Sequence, residues 1–141
     1  MNYTELTASI KEYTDNTETT FVSNIPNFVR QTEERIYRSI LIPELRKNVT
    51  TSVTSSNRFL AKPTDFLAVF SIAVVDGSSN YSFLLPKDVN FIREAYPATG
   101  TTGLPVYYSL FDGDNFLIAP TPDSGYTVQL HYYYDPPSIV T

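Results

Sequence analysis

The spacing of apolar residues changes once along the chain, and this change limits the folds open to it. Before about residue 45, apolar side chains recur every three or four positions, as in amphipathic helices. From Val49 onward they alternate or form short β-branched runs, which indicates strands. Helices followed by consecutive strands predict an α+β fold. We expect N-terminal helices, then an antiparallel β meander or sandwich with one short inserted helix.

The first helix is predicted at the start of the chain. Asn2 and Glu5 have the spacing of a capping box, in which each side chain bonds the other residue's backbone N–H. Leu6, Ile10 and Tyr13 follow at helical spacing on one face.

A second helix is predicted to begin near Asn24, with Pro26 in its first turn, where no amide is needed, and to end at Pro43. Its apolar stripe consists of Ile25, Phe28, Val29, Ile36 and Ile40. Its other face carries Arg30, Glu33, Glu34, Arg35 and Arg38. Arg30–Glu34 and Glu34–Arg38 are spaced for ion pairs along the helix.

The remaining chain is predicted to be mostly strands. Residues 49–53 and 58–61 read as a hairpin, and residues 68–75 as a buried central strand with 81–85 as its partner. Asp88 can cap a short helix that runs to Tyr96. Residues 106–111 and 116–119 flank an Asp-Gly turn, which indicates another hairpin.

Residues 126–134 give the clearest strand pattern. Tyr126, Val128, Leu130 and Tyr132 fall on one face and Tyr133 on the other. One face of this strand packs on its own core. A large aromatic side chain on the opposite face must therefore be covered by a neighbouring helix or by another subunit.

The whole chain, 1–141, is expected to be a single domain with a helical part (1–45) and a β-rich part (46–141). Ten basic and fifteen acidic residues give a net charge of −5, which disfavours binding to nucleic acid. No apolar run approaches the roughly 20 residues of a membrane-spanning helix. The sequence contains no cysteine, which excludes disulfides and thiol chemistry.

Motifs for catalysis are absent from the sequence. There is one histidine, His131, inside a predicted strand, and there is no phosphate-binding glycine loop. Asp112-Gly113-Asp114-Asn115 clusters oxygen ligands but lacks the spacing of a calcium loop, so we interpret it as a hairpin turn. We therefore expect no catalytic residue, no cofactor and no metal, and we predict that the protein is not an enzyme.

Contact surfaces are the more promising candidates for function. Arginine and tyrosine are enriched at protein interfaces. The candidate interface residues are Arg30, Arg35, Arg38, Arg46, Tyr132, Tyr133 and Tyr134. The alternative for the arginines is a solvated helix face.

Three stretches resemble a known family. The first runs from Ile25-Pro26 through Phe28-Val29-Arg30, Glu33 and Arg35-Ile36 to Arg38, and continues into Ile42-Pro43 and Leu45-Arg46. The second contains Leu60, Pro63 and Asp65-Phe66-Leu67, and the third is Phe111-Asp112-Gly113-Asp114-Asn115-Phe116 with the tyrosine-rich strand. Together they are similar to head-to-tail adaptor (head-completion or connector) proteins of tailed bacteriophages. The layout also resembles the tail tubular ring proteins of short-tailed phages.

The resemblance implies a structural virion protein at the head–tail junction, made in the host cytoplasm. Such a protein forms a homo-oligomeric ring, a dodecamer, between the portal and a tail or neck protein. DNA would pass through its channel without sequence-specific binding, and no membrane is involved. Family members continue into a further helical segment, whereas this sequence stops at Thr141, so we expect a minimal version or the ordered part of a longer chain.

Two other readings stay open. Tyrosine-rich strands and polar turns could form a β-rich carbohydrate- or ligand-binding tail module. The amphipathic helices argue against it, because such a module does not need them. A small hydrolase that uses His131 is the third possibility.

Overall fold

The computed structural model describes residues 1–140 and confirms the α+β class. Two compact units are present. The first, the helical unit, contains Met1–Ile42 together with the segment that begins at Asp135, and the second, the β unit, is Pro43–Tyr134. In the described part of the chain, no helix combines the length and apolar character needed to cross a membrane.

The first helix, α1, spans Tyr3–Thr14 and begins with the predicted capping box. Glu5 N donates to Asn2 Oδ1 at 2.9 Å, and Asn2 N donates to Glu5 Oε2 at 3.0 Å. Leu6 and Ile10 are half-buried, but Tyr13 is 94% exposed. The described residues therefore leave the last turn of α1 exposed.

The second helix, α2, spans Thr19–Ser39, so its predicted start near Asn24 is wrong. Asn24 does not cap the helix, since its Nδ2 donates to Thr20 O within it, at 2.9 Å. Pro26 lies inside the helix, where it removes one backbone hydrogen bond without ending the helix. The helix ends at Ser39, ahead of Pro43, which begins a 3-10 turn over Pro43–Leu45.

Ten strands and one further helix form the β unit. In chain order these are β1 (Arg46–Ser52), β2 (Phe59–Ala61), β3 (Phe66–Val75), β4 (Tyr81–Phe83), β5 (Leu85–Pro86), α3 (Val89–Ala95), β6 (Thr102–Gly103), β7 (Tyr107–Leu110), β8 (Asn115–Ala119), β9 (Thr121–Pro122) and β10 (Thr127–Tyr134). One four-stranded sheet has the order β1-β10-β3-β4, and another has the order β2-β8-β7-β5. A small third sheet pairs β6 with β9.

The predicted central strand and both later hairpins are confirmed. β3 lies between β10 and β4, and its hairpin with β4 turns at Asp76, whose Oδ1 accepts from Ser78 N and Asn80 N. β7 and β8 form the hairpin predicted at Asp112, whose Oδ1 accepts from Asp114 N and Asn115 N. The short helix is confirmed as well, with Asp88 accepting from Asn90 N.

The predicted hairpin between residues 49–53 and 58–61 is wrong. β1 pairs with β10, and β2 pairs with β8 in the other sheet. Leu60 on β2 lies opposite Phe116 on β8, and both are buried. The free energy gained by burying this apolar pair exceeds the advantage of a local hairpin, which is the lower entropy cost of closing a short loop.

The two four-stranded sheets enclose the main core, which makes the β unit a sandwich. Its buried residues come from both sheets and their connections: Val53, Leu60, Ile72, Val74, Leu84, Phe116, Ile118, Val128, Leu130 and Tyr132. The predicted alternation in β10 is confirmed for Val128, Leu130 and Tyr132. The other face of the β1-β10-β3-β4 sheet points away from this core, and we call it the outer face.

Candidate assembly surfaces

The candidate interface residues fall in both units. Arg30, Arg35 and Arg38 are on α2 in the helical unit. Arg46 begins β1, and Tyr132–Tyr134 end β10 in the β unit.

The helical unit buries little of its apolar surface. On α2, only Ile25 and Val29 are fully buried, whereas Phe28 and Ile36 are 51% and 44% exposed. Phe28, Val29 and Ile36, with Leu6 and Ile10 of α1 and with Ile139, line an open apolar groove of about 360 Å³. Exposed apolar surface of this kind is typical of a site that binds another protein.

The three α2 arginines are exposed. Among the described residues, the ion pairs within 4.0 Å are Met1–Glu5 and Lys47–Asp65, so the predicted pairs of Arg30 and Arg38 with Glu34 do not form. Glu33, on the same helix, accepts a 3.0 Å hydrogen bond from Ile139 N. The guanidinium groups are therefore available for other contacts.

On the outer face of the β unit, Arg46 lies against two aromatic rings. Its guanidinium carbon is 4.2 Å from the Phe70 ring centroid and 5.3 Å from that of Tyr133. Arg46 Nε also donates to Tyr133 Oη at 3.2 Å. Tyr133 is thus buried on the face opposite Tyr132, under side chains of its own sheet. A partner contact at this position stays a prediction.

A polar cluster that sequence reasoning missed connects β1 and β10 to the segment before β3. Asp65 Oδ2 is 2.7 Å from Lys47 Nζ, and Asp65 Oδ1 accepts a 2.7 Å hydrogen bond from Tyr132 Oη. Lys47 Nζ also lies 3.8 Å from the Tyr134 ring centroid. The bond from Lys47, with that from Tyr132, lowers the pKa of Asp65. Burial and the bond to Asp65 raise the pKa of Tyr132 to about 12.

Further along the outer face, aromatic side chains are exposed. Tyr81 and Phe83 of β4 are 56% and 63% exposed, and Gln129 Nε2 donates to Tyr81 Oη at 3.2 Å. His131 is half-buried with its ring 5.2 Å from that of Phe70. Within residues 1–140, no cluster of three or more His, Asp or Glu side chains is arranged to hold a metal ion.

An α+β protein with exposed apolar surface on its helices and aromatic side chains on an open sheet face has the features of a structural protein that binds other proteins. The whole chain, residues 1–141, matches the family model described as SU10 adaptor protein. The chain therefore belongs to this family of phage structural adaptors, whose members are usually not enzymes, and it is a virion component. The prediction of a bacteriophage adaptor is confirmed at this level. No curated protein matches the sequence significantly.

Proposed function

We propose that this adaptor forms a ring, a dodecamer, between the portal and the tail or neck at the head–tail junction of the virion. In this position it extends the DNA channel and gives the tail components a surface on which to dock. Family membership supports the adaptor role. The observation that carries the proposed mode of action is the open apolar groove of the helical unit.

The groove supports oligomerisation because two helices bury too little surface by themselves. Burial of an apolar side chain contributes roughly 1.5–3 kcal/mol, and Phe28 and Ile36 keep about half of their surface in water. When a neighbouring subunit or the portal covers this groove, burial of these side chains stabilises the complex by part of that free energy. Arg35 and Arg38, exposed on the same helix, lie at the subunit boundary in this proposal and pair with acidic groups of the neighbour.

Net charge supports the channel role. The chain carries a charge of −5, so a ring of copies repels the phosphate backbone overall. DNA that must slide during packaging and ejection benefits from weak contacts. No sequence-specific binding to DNA is part of the proposal.

Native mass spectrometry of the purified chain, alone and mixed with a portal ring, tests this function. We expect a closed ring or stoichiometric capture by the portal. Phe28→Glu combined with Ile36→Glu should abolish both, because charges then occupy the groove. Tyr13→Glu is the matched control, since Tyr13 is exposed on α1 and does not line the groove. A chain that remains monomeric and ignores the portal at every concentration contradicts the proposal.

A carbohydrate- or ligand-binding tail module is the second candidate. One observation favours it. The outer face has a shallow depression of about 160 Å³, whose lining includes Asn48, Tyr81, Phe83, Gln129 and His131. Aromatic rings beside amide groups are suited to sugars. Glycan-array binding that is lost in Phe83→Ala, by a protein that does not form rings, would favour this candidate.

A further inference from the structure

We propose that neighbouring copies join edge to edge through β1 of one subunit and β4 of the next, so that the β1-β10-β3-β4 sheets form one continuous antiparallel sheet around the ring. The inference rests on the proposed ring and identifies a contact that closes it. It starts from the two free edges of this sheet.

The first edge, β1, presents a row of backbone groups to solvent. Every residue of β1 is exposed, and β10 is its one neighbour in the sheet. Val53 N donates to Tyr126 O at 2.9 Å, in register with the β1–β10 pairs. Because hydrogen-bonded pairs alternate along an antiparallel ladder, the N–H and C=O groups of Asn48, Thr50 and Ser52 point away from β10.

The second edge, β4, has the same property. Asp76 N donates to Asn80 O, and Leu84 N donates to Ile72 O, which fixes the alternation between β3 and β4. It follows that Tyr81 and Phe83 direct their N–H and C=O groups outward. Both side chains are also exposed on the outer face.

These two edges fit each other. The sheet has four strands, each antiparallel to the next, so β1 and β4 run in opposite directions. A copy displaced along the sheet places its β4 antiparallel to β1. The outward residues of both edges carry their side chains on the outer face, so the paired sheets keep one outer face. Phe83 then lies beside Asn48, Thr50 or Ser52, depending on the register.

The features that protect edge strands are nearly absent from β1. It has seven residues, a regular register with β10 and no proline, and its charges are confined to Arg46 and Lys47. In the other large sheet, the edge strand β5 has only two residues, one of them Pro86. A second copy is the occupant because it supplies the complementary edge. Such head-to-tail contacts form a closed ring when the rotation between successive copies closes, and an open filament when it does not.

Engineered disulfides test the pairing, since the chain has no cysteine of its own. Phe83→Cys is combined in turn with Asn48→Cys, Thr50→Cys and Ser52→Cys, which covers three registers. Directly opposed residues in a hydrogen-bonded pair have Cα atoms about 5.5 Å apart, which suits a disulfide. Within one subunit, three strand spacings of about 4.8 Å separate β1 from β4. A bond can therefore form only between copies.

We expect one of these double variants to give a ladder of disulfide-linked oligomers on a non-reducing gel after oxidation of assembled protein. Thr51→Cys with Phe83→Cys is the matched control, because these side chains lie on opposite faces of the sheet. Absence of a ladder from all three variants, in protein that forms rings, overturns the inference and leaves the proposed function intact. Disulfide dimers of Thr50→Cys alone, which indicate β1–β1 pairing, also overturn it.

A proline variant gives a second, independent measurement. Thr50→Pro removes an N–H that points outward, so the β1–β10 ladder keeps its bonds. We expect it to lose ring formation at a concentration at which the wild type and Thr50→Ala are assembled. Rings formed equally by Thr50→Pro overturn the edge pairing. A wild-type chain that forms no ring, and double variants that form no ladder, contradict the proposed function and the inference together.

Discussion

The hydroxyl of Tyr132 donates a 2.7 Å hydrogen bond to Oδ1 of Asp65, while Lys47 holds the other carboxylate oxygen at the same distance. One carboxylate thus connects the central strand β10, the edge strand β1 and the segment that enters β3. The cluster fixes the end of the sheet at which β1 begins.

Tyr132→Phe is expected to lower the free energy of unfolding by about 1–2 kcal/mol. The substitution keeps the buried ring and removes a hydrogen bond to a charged, partly exposed acceptor. Urea unfolding gives the value. Tyr134→Phe is the control, because it preserves the ring against which Lys47 packs. An equal loss in both variants would contradict the role of the Asp65 bond.

Stability at alkaline pH is expected to depend on Tyr132. Its folded-state pKa of about 12 lies above its ordinary value of 10.0, so the folded state holds this proton more tightly than the unfolded chain. The associated stability is fully present below pH 10 and is lost as the pH rises towards 12. Subtracting the pH profile of Tyr132→Phe from that of the wild type isolates this loss, because the other tyrosines are common to both. A zero difference between pH 10 and 12 would refute the assignment.

At acid pH, the corresponding group is Asp65. Its pKa is lowered from the ordinary 3.8 by Lys47 first and then by Tyr132, so its contribution is present above pH 3.8 and is lost as the pH falls through the folded-state value. Asp65→Asn should therefore flatten the acid limb of the stability profile. Asp123→Asn, a change at an exposed turn carboxylate, is the comparison, and thermal melts between pH 2 and 5 give both profiles.

Arg46→Ala is expected to destabilise the β unit by about 1–2 kcal/mol. The change removes the contacts with the Phe70 and Tyr133 rings and the bond to Tyr133 Oη. Arg46→Lys should recover part of the loss, since it keeps the charge but not the planar group. If Arg46→Ala left stability unchanged and impaired assembly, Arg46 would belong to an intersubunit contact.

Charge reversal on α2 is expected to act on assembly and not on the fold. Arg35→Glu with Arg38→Glu changes two exposed side chains that form no ion pair within 4.0 Å among the described residues. We expect fewer rings by mass photometry and an unchanged circular dichroism spectrum and melting temperature. A double variant that unfolds would show that the arginines stabilise their own subunit.

Local patterns predicted the elements of the β unit well. The apolar run of β3 and the alternation in β10 reflect burial on the two sides of the strand and need no knowledge of partners. The β1–β2 hairpin failed because strand pairing depends on distant residues, here Tyr133 beside Arg46 and Leu117 beside Phe59. The start of α2 failed because Asn24 and Pro26, typical of a helix start, are also tolerated inside a helix when packing supports it.

The sequence predicted which residue types form the candidate surfaces, but it did not predict which of these residues contact each other. Arginine and tyrosine enrichment pointed to Arg46 and Tyr133, yet 87 positions separate them in the chain, and only the pairing of β1 with β10 brings them together. Asp65 and Tyr132 are 67 positions apart. No local spacing signals such a pair, because its residues meet only after the sheet has formed.

The place of β10 in the sheet has a consequence for biosynthesis. β10 follows every other strand in the chain, but it lies between β1 and β3. On the ribosome, β1 and β3 have no strand between them until residues 127–134 have emerged. A translation product interrupted before this point lacks the centre of the sheet and exposes the apolar residues that β10 would cover. An unfinished subunit therefore cannot complete the β1-β10-β3-β4 sheet.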